Sequence, residues 1–264
     1  MALENHHETA LITGSSSGIG EAFARRLASI GYNLILAARR AERLRLLANE
    51  LQEAYATHID YLPTDLSQDH DVAKLVNAIR QHKNISVLVN NAGFGTTGHF
   101  ADVDITKSIS MINVHITSST RLTWAVLPQM IARNKGAIIN ISTLVVDIPA
   151  PYRVVYVATK SYLNSFSKSL QAEMDERGYR IKIRAILAGL TDTEFFSTNE
   201  YNHMGIRAGW RKIVRPASEV VDAALKSLDD NEVTVIPDEG NRKIYHLMVD
   251  EGETWEEASK LVFG

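Results

Sequence analysis

Apolar and polar positions along the chain fall into two alternating patterns. Seven short runs are apolar almost throughout: residues 10–13, 33–38, 58–63, 86–90, 137–141, 182–188 and 233–237. Each has the length of a strand covered on both faces, as in a parallel sheet. Between the runs lie longer stretches with helical spacing. Residues 21–30 put Phe23, Leu27 and Ile30 on one face, and Gly31 follows as a stop. Residues 41–55 carry Leu44, Leu47, Ala48 and Leu51 in the same way. Strand–helix alternation predicts an α/β fold: one doubly wound parallel sheet of about seven strands, Rossmann-type. Connection handedness then places a ligand crevice at the carboxyl ends of the strands.

No linker rich in Pro, Gly or Ser divides the chain, so residues 1–264 are expected to form a single domain. The least regular stretch is 194–215, where Phe195, Phe196, Tyr201, Met204 and Trp210 stand among polar residues. It is expected to act as a substrate lid. The alternative is a surface loop with its aromatics tucked into the core.

Composition narrows the function classes. Of 264 residues, 45% are hydrophobic and 22% charged, which excludes wholesale disorder. The 28 basic and 31 acidic side chains leave a net charge of −3, so no nucleic-acid partner is expected. Cysteine is absent, which excludes disulfides, a thiol nucleophile and thiolate metal sites and fits a reducing compartment. No apolar run reaches the roughly 18 residues of a membrane span. The first nine residues are polar and acidic, without leader character. A cytoplasmic location is expected. The nine histidines show no ligand spacing with nearby acids, so no metal is expected, and His115 reads as structural.

Four motifs carry chemistry. Thr13-Gly14-Ser15-Ser16-Ser17-Gly18-Ile19-Gly20 follows the first apolar run and opens the first amphipathic helix. Glycines let the backbone turn sharply and approach a pyrophosphate, and a helix N-terminus offers free N–H groups to the anion. Three residues separate Gly14 from Gly18, where the common dinucleotide fingerprint has one between its first two glycines. The second run ends in Ala38-Arg39-Arg40. An acid there would bind ribose hydroxyls, whereas arginine would accept a 2′-phosphate. The alternative is a pair of solvated helix-start charges. Asn90-Asn91-Ala92-Gly93 follows the fourth run, small enough to let a nucleotide lie against the backbone. Asp65, after the third run, could accept from an adenine amino group or cap a helix, a role for which Ser67 competes. Finally, Tyr156 and Lys160 are one helical turn apart. An ammonium beside a phenol lowers the phenol pKa and suits it to acid/base work.

The order of these pieces, with Ser142-Thr143 between the third and fourth, resembles the short-chain dehydrogenase/reductase family, in a bacterial NADPH-linked branch with a Tyr-x-x-x-Lys site. The resemblance spans residues 9–193. It implies Tyr156 as general acid/base, Lys160 on the nicotinamide ribose and Asn113 anchoring a water relay behind the lysine. It implies an NADP(H) site formed by Gly14, Ser16, Ser17, Gly18, Ile19, Gly20, Arg39, Arg40, Asp65, Leu66, Asn91, Ala92, Gly93, Tyr156, Lys160, Gly189, Thr191 and Thr193. A homodimer or homotetramer acting on a small carbonyl or alcohol is implied as well. The chain departs from the family pattern in places. Ala188 stands where the family has proline before Gly189, and no glycine-rich ending is present. The family's catalytic serine lies thirteen positions before the tyrosine, which here is Thr143, one position after Ser142. Side chains of adjacent strand residues face opposite ways, so only one can face the site, and the spacing favours Thr143. A non-enzymatic NADPH-binding sensor or scaffold would keep the fold but would be expected to have lost the tyrosine or lysine.

Overall fold

The computed structural model describes residues 8–196, 214–254, 257–258 and 261–262. Six of its strands run β1 Thr9–Thr13, β2 Asn33–Ala38, β3 Ile59–Pro63, β4 Ile85–Asn90, β5 Gly136–Thr143 and β6 Ile181–Ala188. Two short pieces, β7 Thr191–Asp192 and β8 Arg215–Pro216, pair with each other, and β9 Thr234–Val235 adds to β6. The main sheet has seven parallel strands in the order β3-β2-β1-β4-β5-β6-β9. All seven apolar runs become its strands. The β7–β8 pair was not anticipated.

Helices cover both faces because each strand presents apolar side chains both ways. Ala10, Ile12, Leu34 and Leu36 pack under α1 (Gly18–Ser29), α2 (Ala41–Tyr55) and α7 (Ala217–Lys226) through Phe23, Leu27, Leu44 and Val221. Leu11, Ile35 and Leu88 face the opposite way, under α3 (Asp69–Gln81), α5 (Ser119–Arg133) and α6 (Val154–Glu176). Each such buried side chain contributes about 1.5–3 kcal/mol. Removing Leu11 or Ile12 would therefore open a void at the centre of the sheet. Two asparagines join the middle strands below the crevice. Asn90 Nδ2 donates to Asn140 Oδ1 at 2.8 Å, and Asn140 Nδ2 donates to Ser167 Oγ on α6 at 2.8 Å.

Two features shape the upper edge. α4 (Ile105–Ile112) runs into α5 through a π-helical segment, Asn113–Ser118, so the long helix takes one wide turn at Asn113. The C-terminal α8 (Glu239–Asp250) packs Ile244 and Met248 against Leu144, Val146 and Leu187, closing the end of the crevice beyond β6. No helix among the described residues is long and apolar enough to cross a membrane.

Candidate active site

A cavity of about 970 Å³ lies across the carboxyl ends of β1, β2, β4, β5 and β6. This is the upper end of the range for small-molecule sites. At one end the β1–α1 turn forms its floor. Gly14 and Gly18 sit at φ +65° and +58°, the left-handed region. A Cβ on Gly14 would lie 2.8 Å from Ala92 Cα, and one on Gly18 would lie 2.9 Å from Thr193 Cγ2. Glycine is thus required by both backbone conformation and close approach. Asn91 locks this turn, its Nδ2 donating to Thr13 O at 2.9 Å and Gly14 O at 3.2 Å. Helix α1 begins without a side-chain cap, because the Ser17 hydroxyl is taken by Arg40 Nη2 at 2.5 Å. Its first N–H groups face the same end of the cavity, where an anion would be favoured.

The arginines divide. Arg39 lines the cavity and has no ion-pair partner among the described residues. Arg40 is fully engaged: Nε reaches Ser16 Oγ at 3.0 Å, and Nη1 pairs with Glu194 at 2.6 Å. Arg43 holds the other oxygen of Glu194 at 2.7 Å. The two guanidiniums hold the Glu194 carboxyl down at about 2. Asp65 and Leu66 line the same end. Asp65 caps no helix. Its Oδ1 accepts from Ser67 N and Ser67 Oγ at 3.0 and 2.8 Å within the loop, and α3 starts later without a side-chain cap.

At the other end Tyr156 is buried, with the Thr143 side chain close enough to its hydroxyl to draw its pKa down. Ser142 points the opposite way, donating from Oγ to Lys160 O at 2.9 Å inside the β5–α6 packing. Lys160 is buried one turn along α6, its Nζ donating to Ile141 O at 2.8 Å, and burial draws its pKa down to about 8. The expected lowering of the phenol by Lys160 is not what the structure gives. Burial pushes Tyr156 above the usual tyrosine range, and the opposing influences are the nearby Thr143 side chain and the Arg153 charge. The physical reason is that Lys160 spends its ammonium on the strand carbonyl, while desolvation penalises the phenolate.

Asn113 starts the wide turn of the long helix, and its amide donates to Ser67 O at 3.5 Å. It is not part of the cavity wall, whereas Ser110 and Val114 are. His115, two positions on, is wholly buried. Thr159 Oγ1 donates to Tyr156 O at 2.8 Å, so it accepts from His115 Nδ1–H at 2.8 Å. The bare Nε2 then accepts from Phe94 N–H at 3.2 Å. This tautomer is neutral, in keeping with a pKa held well below the usual histidine range by burial and by Lys160. His115 thereby joins the loop after β4, at Phe94, to the helix carrying Tyr156.

Gly189, Thr191 and Thr193 lie along the wall between the two ends. Gly189 is needed for close packing, since a Cβ there would lie 2.5 Å from Asn241 Nδ2 on α8. Of the expected lid, Glu194 and Phe195 line the cavity, and the Phe195 ring lies 5.9 Å from that of Tyr156. Residues 197–213, with Tyr201, Met204 and Trp210, are outside the described residues. Sequence reasoning missed two contributors. Met248 and the following Gly252–Thr254 segment line the cavity from the C-terminal region. Tyr152, a non-glycine residue at φ +68°, accepts from Gly98 N–H at 2.9 Å, tying two cavity-side loops together. Glu194 was expected in the lid, but its pairing with Arg40 and Arg43 was not.

Residues 8–203 match the family model described as short chain dehydrogenase. A short-chain dehydrogenase from Sphingobium yanoikuyae, solved in complex with NADPH, is 33% identical with a TM-score of 0.80, covering 88% of each chain. Sulfoacetaldehyde reductase 2 of Chromohalobacter salexigens is 35% identical over 188 residues, 70% of this chain and 73% of its own length. The human inactive hydroxysteroid dehydrogenase-like protein 1 is 30% identical over 210 residues, 79% of this chain and 62% of its own length. The chain spans 52–62% of the length of the vertebrate relatives it matches.

Proposed function

The chain belongs to the short-chain dehydrogenase family, and from that premise we propose that it is an NADP(H)-dependent oxidoreductase interconverting a ketone or aldehyde and an alcohol. The observation that carries this reading is that Tyr156, Thr143 and Lys160 line the same 970 Å³ cavity as the glycine turn and Arg39, a space large enough for a dinucleotide. The fit rests on this chain's own groups. The left-handed turn through Gly14 and Gly18, which only glycine accommodates there, leaves the backbone bare of side chains where it lines the cavity. The uncapped α1 N-terminus and Arg39 supply donors and charge suited to phosphates. Ser16, Ser17, Gly18 and Ile19 would hold the pyrophosphate, Arg39 and Arg40 the 2′-phosphate, Asp65 and Leu66 the adenine, and Lys160 the nicotinamide ribose. Asn91, Ala92, Gly93, Gly189, Thr191 and Thr193 would complete the wall. Bound there, the nicotinamide would supply hydride chemistry.

The protein's own work is proton transfer and orientation. Burial keeps the Tyr156 phenol protonated at neutral pH, so Oη holds a proton ready for a carbonyl oxygen. Thr143 Oγ1 would hydrogen-bond that oxygen as charge develops on it. Lys160 keeps a positive charge in the same buried layer. Leu144, Val145, Ile148, Phe195 and Met248 make the substrate end apolar. A carbonyl compound with apolar substituents fits this end. The α4–α5 and α6 helices expose Ile105, Trp124 and Val154, which supports a homodimer or homotetramer as the working form.

The name of the human relative favours a second reading, a non-enzymatic nucleotide-binding protein. A panel of apolar ketones and aldehydes, assayed for NADPH oxidation with wild type and Tyr156→Phe, separates the two. The enzyme reading expects turnover that the variant loses by about a hundredfold to ten-thousandfold, with NADPH binding nearly intact. Binding without turnover on any compound supports the second reading. Variant activity close to wild type means that another group carries the proton.

A further inference from the structure

We propose that Glu194 is a built-in anion that competes with the cofactor's 2′-phosphate for Arg40 and Arg43, and so sets how strongly the protein prefers a phosphorylated nucleotide. The inference rests on the NADP(H) reading above. The end of β2 lacks the acid that would select an unphosphorylated ribose, having Ala38, Arg39 and Arg40 instead. The structure brings a carboxylate to that place from 154 positions away in sequence. Glu194 Oε2 pairs with Arg40 Nη1 at 2.6 Å, and Oε1 pairs with Arg43 Nη1 at 2.7 Å. Arg40 also spans Ser16 and Ser17 of the glycine turn, and Ser16, Ser17, Arg39, Arg40 and Glu194 all line one end of the cavity.

A carboxylate gripped by two guanidiniums occupies the geometry that arginines offer a phosphate. A 2′-phosphate arriving beside Arg39 must therefore displace Glu194 from Arg40 or bind next to a like charge, and both weaken it. A free 2′-hydroxyl meets no such conflict, because it can donate to the carboxylate. The pairs are half-exposed, with side-chain accessibilities of 41% for Arg40 and 49% for Glu194, so solvent screens the effect to a moderate size.

The test measures binding of 2′,5′-ADP and 5′-ADP to the full chain by calorimetry, in wild type, Glu194→Gln and Glu194→Ala, with thermal melting to verify folding. Both variants are expected to bind 2′,5′-ADP about three- to tenfold more tightly than wild type, the size set by losing two screened ion pairs. Binding of 5′-ADP should stay level or weaken. If wild type prefers 2′,5′-ADP but the folded variants bind it equally or less well, the inference is overturned and the cofactor reading stands. If no form distinguishes the two nucleotides, the phosphate reading of Arg39 and Arg40 falls, and the inference falls with it.

Discussion

Replacing Thr143 by valine tests the site most directly, because it removes one hydroxyl and almost no volume. The Thr143 side chain lies close to the Tyr156 hydroxyl, and its strand position, opposite Ala188 at the carboxyl ends of β5 and β6, lines the cavity. Ser142 is spent elsewhere, its Oγ donating to Lys160 O at 2.9 Å. Losing one donor to a developing oxyanion costs about 2–4 kcal/mol, or roughly thirtyfold to nine-hundredfold in kcat/KM. Ser142→Ala removes a buried hydrogen bond and should instead cost about 1 kcal/mol of stability, with little change in rate. Steady-state carbonyl reduction with NADPH gives the first quantity, and denaturant melts give the second. Thr143→Ser should restore most of the activity lost in Thr143→Val, because it returns the hydroxyl without the methyl. A larger loss of kcat/KM in Ser142→Ala than in Thr143→Val would refute the assignment, since the buried serine would then have to turn towards the substrate.

Three further expectations follow from the same geometry. Wild type should bind NADPH more tightly than NADH, and Arg39→Ala should reduce that preference by roughly tenfold, as suits one exposed charge-assisted contact; equal wild-type dissociation constants would contradict it. Burial lowers Lys160 to about 8 from 10.5, so between these values the unfolded chain holds a proton that the folded chain lacks, and stability rises with pH. Lys160→Met should therefore melt higher than wild type near neutral pH, with an advantage that shrinks towards about pH 10; a pH-independent difference would show that the ammonium is not the source. Light scattering should give two or four times the mass of the 29.3 kDa chain, and a monomer at micromolar concentration would remove the homodimer or homotetramer from the account.

The sheet was legible because a strand covered on both faces needs apolar side chains in both directions, and a run such as Leu34-Ile35-Leu36-Ala37 has no other reason to be continuous. The β7–β8 pair was not, since two residues carry no period. Nor was the wide turn at Asn113, which no glycine or proline marks. The glycine turn at one end of the cavity could be read because its parts are local: a turn that must be glycine, then a helix start, within eight residues. The other walls come from distant sequence. Glu194 meets Arg40 across 154 positions, and Met248 reaches the cavity only because α8 packs on Leu144 and Leu187. The pKa of Tyr156 belongs to the same category. Spacing places Lys160 one turn away, but the direction of the shift depends on where the ammonium points and how deeply the phenol is buried, and both are set by the packing of α6 on β5. Chemistry fixed by backbone position at a strand end is therefore readable from sequence. The wall beyond the strand ends is not, because Phe195 and Met248 are side chains that only tertiary packing brings to the cavity.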